Sequence, residues 1–377
     1  MVSVADCLRQ HAPAYLAKYG DAVPVGHRKV LAAITRCRTG ELGGIQYQCC
    51  ECGSRHWVGR SCGNRHCPNC GKDKTAAWLD KQSRRLLPVL HFLVTVTVPE
   101  GLRSVLRRHQ HDGYAALFAA GADALRHVAS ATKSLRDCQM GFCGVLHTWG
   151  RDPCVYHPHV HFVVPGGGVR EDGSQWQATP ENFLVPHGTL VRVYKAKLAD
   201  ALRACGLYDQ VPADVWQAKF VVDLKPVGNG QAVLKYLAPY VHRVAISDRR
   251  IVACDDTSVT YRYRPTGSKR WKTRRVEGLE FVRGFVQHTL PRGFQKIRYY
   301  GWMSPNSRLS LDAVKWLVWL FLGWTYWLGS GHAPQQPLPE PTPVRCPKCG
   351  GPMRMVGGSF QPITVLPEHP VPYLDSG

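Results

Sequence analysis

The spacing of apolar residues changes along the chain, and each change predicts a different element. The first 40 residues place apolar side chains every three or four positions, which is typical of helix. A second helical stretch at 74–87 leads into the β-branched run 91–98, which ends near a proline and predicts a strand. Residues 102–134 return to the helical spacing, as one or two helices. Helices and strands therefore alternate from the first third of the chain onward.

The central third contains two apolar runs separated by a short polar turn. The runs cover 141–150 and 156–164, and the turn Arg-Asp-Pro at 151–153 divides them, so we expect an antiparallel hairpin. A helix near 190–205 and a strand at 220–224 follow. These short antiparallel connections favour an α+β fold, with an antiparallel sheet flanked by helices, over a doubly wound parallel sheet.

Shifts in composition divide the 377 residues into several predicted units. We expect a helical module over 1–88, a main α+β domain over 89–305, an apolar helix over 306–330, and a Pro-rich linker with a cysteine pair over 331–377. The apolar run 311–328 is interrupted by two charged residues and is short for a bilayer. It therefore predicts a buried or interface helix rather than a membrane span.

The charge of the chain points to a polyanionic partner. Lys and Arg number 48 against 27 Asp and Glu, which gives a formal net charge of +21 at pH 7. Such an excess attracts nucleic acid, and its spread along the chain argues against a membrane surface. The start of the chain has no signal-peptide pattern, so we expect a cytoplasmic protein. Its fifteen cysteines then predict thiols and metal ligands rather than disulfides.

Two cysteine pairs with the spacing of metal knuckles follow the first predicted helices. Cys49 and Cys52 form one pair, Cys67 and Cys70 form the other, and a glycine follows each pair. Four thiolates brought together repel one another without a cation. We therefore predict a single structural zinc, tetrahedrally bound by these four cysteines, in an N-terminal zinc-binding module.

Other residues near the knuckles and near the C-terminus leave the zinc ligands open. Cys37, Cys62 and His66 could exchange with a ligand or build a second site, and simple packing is the alternative for each. Cys346 and Cys349 form half of another knuckle. They are either a remnant, part of a site completed by distant residues, or free thiols.

One predicted strand carries histidines at alternate positions. Because side chains alternate across a strand, His157, His159 and His161 share one face, which disfavours three unrelated solvated histidines. His159 and His161 are close enough to bind one divalent ion, whereas His157 is expected to support the site or contact DNA. The third ligand is open between His147 and His242. A site acting on a phosphodiester favours Mg²⁺ or Mn²⁺, although imidazole also suits zinc.

A later segment predicts a helix with a paired-tyrosine face. Tyr236 and Tyr240 are four positions apart in 231–241, so both hydroxyls can face one site. A tyrosine oxygen can attack phosphorus and leave a covalent enzyme–DNA ester. Two buried core tyrosines are the alternative interpretation.

The segment 261–275 combines a high density of positive charge with aromatic residues and contains no acid. A turn at 265–268 divides it, which predicts a basic hairpin. We expect phosphate contacts, with Tyr261, Tyr263 or Trp271 stacking on exposed bases; a solvated edge strand is the alternative. The predicted DNA-binding residues of the hairpin are Arg262, Arg264, Lys269, Arg270, Lys272, Arg274 and Arg275.

The order of these motifs resembles the two-tyrosine, rolling-circle transposases of the HUH endonuclease superfamily, and is most similar to the insertion-sequence ninety-one group. The resemblance extends from about residue 25 to 305. It rests on the cysteine knuckles, the run Leu-His-Thr-Trp-Gly at 146–150, the histidine strand and the paired tyrosines. Members often carry Leu-Gly-Gly-His before the first knuckle, where this chain has Leu-Gly-Gly-Ile at 42–45, so the number of zinc ions stays open.

The resemblance implies a fold, a site and a reaction. It implies an antiparallel sheet flanked by helices, with His159 and His161 as metal ligands. Tyr236 or Tyr240 would be the nucleophile, producing a 5′-phosphotyrosine and a free 3′-OH on single-stranded DNA at element ends and target. The expected setting is a bacterial, nucleoid-associated protein. A plasmid replication initiator or relaxase, and a non-catalytic zinc-ribbon DNA-binding regulator, are the alternatives.

Overall fold

The computed structural model describes most of the chain, and the predicted tyrosine helix falls largely outside the described part. Described residues are 2–230, 234, 245–265, 267–268, 270–323 and 344–363, without the side chains of 72–77. Tyr236, Tyr240, His242, Lys269 and the end of the predicted C-terminal helix lie outside the described residues.

The predicted helices that fall on described residues are confirmed, and the stretch 102–134 is divided into two helices near His109. A capping box begins the first helix: Ser3 Oγ accepts a hydrogen bond from the Asp6 backbone, and the Asp6 carboxylate accepts one from Ser3 N. The helices in the described ranges are α1 (Val4–Tyr19), α2 (Val25–Thr35), α3 (Gly71–Ser83), α4 (Glu100–Arg108), α5 (Gln110–Ser130), α6 (His187–Ala204), α7 (Gly278–Val286) and α8 (Leu311–Leu322).

The strands form several antiparallel sheets, and the strand predicted at 220–224 begins two residues later. The described strands are β1 (Gly44–Cys49), β2 (Arg55–Gly59), β3 (His91–Thr97), β4 (Cys138–Gln139), β5 (Gly141–Trp149), β6 (Tyr156–Pro165), β7 (Gly167–Arg170), β8 (Trp176–Ala178), β9 (Val222–Pro226), β10 (Ile251–Cys254), β11 (Ser258–Tyr263), β12 (Lys272–Glu277), β13 (Ile297–Gly301) and β14 (Met353–Ser359).

The main sheet has five antiparallel strands in the order β13-β5-β6-β3-β9. Its centre is the predicted hairpin β5–β6, in which Val145 pairs with His161 and His147 pairs with His159. With helices packed on this sheet, the α+β class predicted from the sequence is confirmed. The two neighbours of β6 are therefore β5 and β3, and both contribute to its histidine-bearing face.

One face of the main sheet is covered by α4, α5 and α6. Alternate residues of the strands enter this core, and Phe92, Phe142 and Phe162 are fully buried in it. Gly121 lets α5 approach closely, because a Cβ added there would lie 2.5 Å from the Phe162 ring. This packing holds the strands in place from the face of the sheet opposite the histidines.

The opposite face of the sheet changes character along its length. At one end Leu93, Val145 and Val163 pack with Val314 and Val318 of α8. The sequence predicts a buried or interface helix here, and α8 is buried along one side only, because Trp316, Leu320 and Phe321 are exposed. The other end of this face carries the histidines. Among the described residues, no helix has both the length and the apolarity to cross a bilayer.

Three smaller sheets complete the described fold, and one of them joins β4, β7 and β8. The sheet β10-β11-β12 packs, together with α7, against α1 and α2 in a second core. The sheet β14-β1-β2 joins the C-terminal strand to the N-terminal hairpin. The pairing of β1 with β14 is unexpected from the sequence, because these two strands lie at opposite ends of the chain.

Candidate functional site

Three imidazoles converge on the histidine-bearing end of the main sheet. The pairing of β5 with β6 sets His147 opposite His159, and His161 follows on the same face. The Nε2 atoms of His159 and His161 are 3.1 Å apart, and candidate ligand atoms of all three residues lie within 4.8 Å of one another. The structure thus brings His147 to the predicted pair, whereas the other candidate, His242, lies outside the described residues.

The two imidazoles of β6 are each oriented through Nδ1. His159 Nδ1 donates a hydrogen bond of 2.8 Å to the His157 carbonyl oxygen, which leaves its Nε2 with a lone pair. His161 Nδ1 lies 2.8 Å from Thr95 Oγ1 on the neighbouring strand β3. Hydrogen bonds of this kind fix the tautomer and the ring orientation of metal-binding histidines.

Burial keeps these imidazoles neutral. It lowers the pKa of His161 to about 4, and it holds the pKa values of His147 and His159 well below the usual range. Neutral imidazole is the form that binds a metal. Two nitrogens bound at right angles to one octahedral ion would be separated by about 3 Å, which is close to the distance between the two Nε2 atoms. The donor set therefore fits a divalent cation.

His157 stands at the edge of this group. Its ring centroid is 5.3 Å from that of His159, and its side chain lines the cleft in front of the imidazoles. Burial, with a smaller effect of Arg103, lowers its pKa to about 4. Its carbonyl orients His159, whereas a DNA contact by its side chain stays a prediction.

A cleft of about 820 Å³ opens onto the three imidazoles. Its floor is formed by the main sheet, and its opposite wall by the predicted basic hairpin, which the structure confirms as β11 and β12 in antiparallel pairing. Side chains of the hairpin that line the cleft come from Tyr263, Arg264, Pro265 and Trp271, and Arg250, which precedes β10, extends this wall beside Trp271.

The wall offers an exposed aromatic surface beside positive charge. Trp271 is half exposed, and the guanidinium carbons of Arg264 and Arg250 lie 4.9 and 5.2 Å from its ring centroid. Tyr261, by contrast, is fully buried, and its hydroxyl donates a hydrogen bond of 2.9 Å to Asp152. The prediction that Tyr261 could stack on a base is therefore wrong.

The basic residues of the hairpin do not all face the cleft. Arg274 pairs with Asp152 at 2.6 Å and Arg275 with Asp255 at 3.3 Å, so acids from outside the segment offset two of the charges. Of the predicted DNA-binding residues of the hairpin that the structure describes, Arg264 lines the cleft. The remaining described members are exposed on the hairpin: Arg262, Arg270 and Lys272.

The second cysteine knuckle, Cys67 and Cys70, is completed by Cys37 and Cys62. The sequence left two interpretations for these two cysteines, metal binding and simple packing. The sulfurs of Cys37, Cys62, Cys67 and Cys70 lie within 4.8 Å of one another, with Cys70 at 3.6 Å from Cys37 and 3.7 Å from Cys62. Sulfurs around a tetrahedral zinc with bonds of about 2.3 Å are separated by about 3.8 Å. Contacts with Cys37 and Cys62 hold the pKa of Cys70 well below its usual range, which favours a thiolate.

The first knuckle belongs to a separate cluster. Cys49 and Cys52 lie with Cys346 and Cys349, again within 4.8 Å. The single site predicted from the two N-terminal pairs is therefore not assembled, because the fold directs each pair to different partners.

His66 belongs to neither sulfur cluster in the described structure. It is buried, and its Nε2 accepts a hydrogen bond of 3.4 Å from Leu290 N. Its proposed role as a zinc ligand is replaced by a packing role.

Sequence reasoning missed several residues of the site. Thr95 stood in the predicted strand 91–98, but its contact with His161 depends on which strand lies beside β6. Arg250 precedes β10 and reaches the cleft only because that sheet folds over it. His288 bonds Thr148 Oγ1 at 3.1 Å and the Pro153 carbonyl at 3.0 Å, which supports the β5–β6 connection. Alternation within one strand could not identify these partners.

Comparisons with known proteins identify relatives of this chain. The model described as "Putative transposase" matches residues 141–310, and that described as "Transposase zinc-binding domain" matches 7–98. The chain is 36% identical over 325 residues to the putative transposase y4qJ of Sinorhizobium fredii, which covers 81% of each chain. It is 26% identical over 286 residues to the transposase for insertion sequence element IS801 of Pseudomonas savastanoi pv. phaseolicola, over 71% of this chain and 68% of the relative.

No solved structure matches the chain. The two family models cover both the zinc-binding knuckles and the histidine cleft, and they occur in the order that the motifs predict. The zinc-binding domain and the sulfur clusters together support structural zinc. With the identity and coverage of the first relative, they show that the chain belongs to the insertion-sequence ninety-one family of transposases, with an N-terminal zinc-binding domain.

Proposed function

We propose that the chain nicks and rejoins single-stranded DNA at the ends of a transposable element through a 5′-phosphotyrosine intermediate. A transposase acts on DNA as a nuclease and strand-transfer enzyme, so the proposal concerns its mechanism. One observation carries it. Three neutral imidazoles and a basic, aromatic wall meet in a single cleft.

His147, His159 and His161 would hold the divalent cation, which is Mg²⁺ or Mn²⁺ in this proposal. When bound, such a cation polarises a phosphodiester and stabilises the charge that develops on its oxygens. Thr95 and the His157 carbonyl hold the β6 imidazoles in position. The close packing of α5 behind the sheet keeps this constellation rigid.

The wall of the cleft supports a single strand as the substrate. Arg264 and Arg250 place positive charge where a phosphate backbone would pass, and Trp271 offers an exposed ring. Bases stack on aromatic side chains only when they are freed from a duplex. A strand entering the cleft would thus be held by charge and stacking while one phosphate faces the imidazoles.

Tyr236 and Tyr240 are the proposed nucleophiles, and this assignment rests on their spacing of four positions and on the family resemblance. In the proposed step a tyrosine oxygen forms a bond to phosphorus while the bond from phosphorus to O3′ breaks. The phenolic proton passes to solvent, and the departing O3′ takes up a proton to become a free 3′-OH. The phosphotyrosine ester keeps the energy of the broken bond, so a 3′-OH can later reverse the step and join the strand.

The test is covalent capture of labelled DNA by the full-length chain. Single-stranded oligonucleotides that carry element ends are incubated with Mn²⁺ and separated under denaturing conditions. We expect a label placed 3′ of the nick to remain on the protein and a label placed 5′ of it to be released. The captured label should disappear in Tyr236→Phe, in Tyr240→Phe or in the double variant.

His161→Ala tests the metal site in the same assay. Loss of several kcal/mol of charge stabilisation predicts a fall in cleavage rate of about a thousandfold. His127→Ala is the control, because His127 is exposed on α5 and should leave the rate unchanged. Failure to capture any end sequence would favour a DNA-binding regulator, and capture that survives the double tyrosine variant would refute the assigned nucleophiles.

A further inference from the structure

We propose that Cys49, Cys52, Cys346 and Cys349 bind a second structural zinc, which fastens the C-terminal segment to the N-terminal module. The two C-terminal cysteines lie beyond both family matches, which end at residues 98 and 310. This site therefore extends the zinc-binding part of the molecule by a piece that the matched domain does not contain.

The two knuckles have the same backbone construction. Each is Cys-x2-Cys followed by a glycine, and in each the glycine N–H donates to the carbonyl of the first cysteine. The distance is 3.2 Å from Gly53 N to Cys49 O and 2.8 Å from Gly350 N to Cys346 O. The two glycines have φ values of 71° and 77°, in the left-handed region that favours glycine. Both turns are thus shaped to direct two sulfurs toward one point.

The sulfur separations across the knuckles fit one tetrahedral ion. Cys49 Sγ is 3.4 Å from Cys349 Sγ, and Cys52 Sγ is 3.7 Å from Cys346 Sγ. Tetrahedral zinc requires about 3.8 Å, whereas a disulfide bond measures about 2.05 Å. Backbone N–H groups of Glu51 and Cys52 also donate hydrogen bonds to Cys49 Sγ, at 3.4 and 3.5 Å, and so fix the position of this sulfur.

Strand pairing brings the two knuckles together. β14 pairs with β1 from Gly44 opposite Ser359 to Cys49 opposite Met353. The approach is close at Gly43, where an added Cβ would lie 2.1 Å from the Ser359 carbonyl oxygen and where φ is 82°. The glycine pair before the first knuckle is therefore fitted to the C-terminal strand.

The apolar support of this sheet is too small to hold the tail by itself. Cys49, Cys346 and Met353 are its buried members, with Tyr47 and Val344 packed against them. A segment of this size needs the free energy of metal binding to remain folded. Although Cys52 and Cys346 are 294 positions apart, the entropy of closing such a loop grows only logarithmically with its length.

The first measurement is the zinc content of the purified full-length chain, compared between the parent chain and variants that retain the same imidazoles. We expect the double variant Cys346→Ser/Cys349→Ser to hold one zinc ion fewer than the parent chain. Cys50→Ser is the matched control, because this exposed thiol neighbours Cys49 but belongs to neither cluster. An unchanged zinc content in the double variant would overturn the proposal.

The second measurement needs no substitution and so remains decisive if the double variant misfolds. Alkylation of the parent chain is followed by mass spectrometry, residue by residue. Zinc-bound thiolates are poor nucleophiles toward the reagent, so Cys349 should react roughly tenfold or more slowly than Cys50, although both are exposed. A strong chelator should abolish the difference. Equal rates before chelation would contradict a zinc site at this knuckle.

Discussion

The imidazole cluster and the sulfur clusters both gather metal-binding atoms, but they stand on different frameworks. The imidazoles project from β5 and β6 at the centre of a five-stranded sheet, whose other face is packed by three helices. The sulfur cluster of Cys49, Cys52, Cys346 and Cys349 lies on a three-stranded sheet with three buried apolar residues. The Cys37–Cys70 cluster joins the end of α2, a loop and the start of α3.

At the imidazole cluster the fold positions the metal ligands, whereas at the sulfur clusters the bound metal helps to form the fold. Backbone pairing and helix packing set the imidazole positions before any ion arrives, as preorganised catalysis requires. At the sulfur clusters, the ion supplies part of the free energy that brings distant segments together. Disturbing the first type of site should therefore impair chemistry and spare stability, and disturbing the second should do the reverse.

Cys67→Ser should give the largest effect and would test the stability side of the comparison. Cys67 is fully buried, and its cluster packs in the core formed by α1, α2 and α7. Zinc binding in small modules contributes on the order of 10 kcal/mol, so losing one of four thiolates should unfold the N-terminal module. Thermal unfolding and zinc content measure the result. Cys205→Ser, at a half-buried thiol outside the clusters, should retain both the zinc and the melting temperature.

An unchanged melting temperature in Cys67→Ser would break the comparison from this side. It would mean that apolar packing around the cluster is sufficient without the ion. The control shows that a fall in the melting temperature of Cys67→Ser comes from the lost zinc ligand and not from serine in a folded region, because Cys205 is also packed and contacts the Leu202 carbonyl.

Thr95→Val should give the next largest effect and tests the chemistry side. Valine has nearly the shape of threonine but cannot bond His161 Nδ1, which would lose its 2.8 Å contact. Losing such an orienting bond typically lowers metal affinity or activity about 10- to 100-fold, so half-maximal cleavage should require correspondingly more Mn²⁺. Thr132→Val is the control, since this buried threonine lies outside the cleft and its hydroxyl bonds the Val128 carbonyl at 2.7 Å. Equal shifts in both variants would indicate a general cost of removing a buried hydroxyl, not a loss at the imidazole.

The same contrast explains how far the sequence could predict this site. The hairpin β5–β6 and the alternation of His159 and His161 depend on residues close in the chain, so period and turn residues were sufficient. The third ligand required the register of the hairpin, which the spacing left open until His147 was found opposite His159. Thr95 required the identity of the next strand.

The cysteine pairs show where such prediction ends. Each Cys-x2-Cys turn is local and could be identified, but identical turns carry no mark of which pair meets which. The pairing of β1 with β14 decided it for Cys49, and the end of α2 brought Cys37 to the other cluster. Likewise the charge of the hairpin could be counted, whereas the remote acids that offset Arg274 and Arg275 could not be anticipated.

Arg264→Ala should give the smallest effect and would sharpen the comparison by separating the wall of the cleft from its floor. Arg264 lines the cleft beside Trp271, so its loss should weaken single-stranded DNA binding at every sequence. One phosphate contact fewer should reduce the slope of log affinity against log salt by about 0.7, while the Mn²⁺ requirement for cleavage stays unchanged. Arg275→Ala is the matched control, because Arg275 pairs with Asp255 and does not line the cleft. If Arg264→Ala changed the Mn²⁺ requirement but not the salt slope, the wall would belong to the metal site rather than to the DNA path.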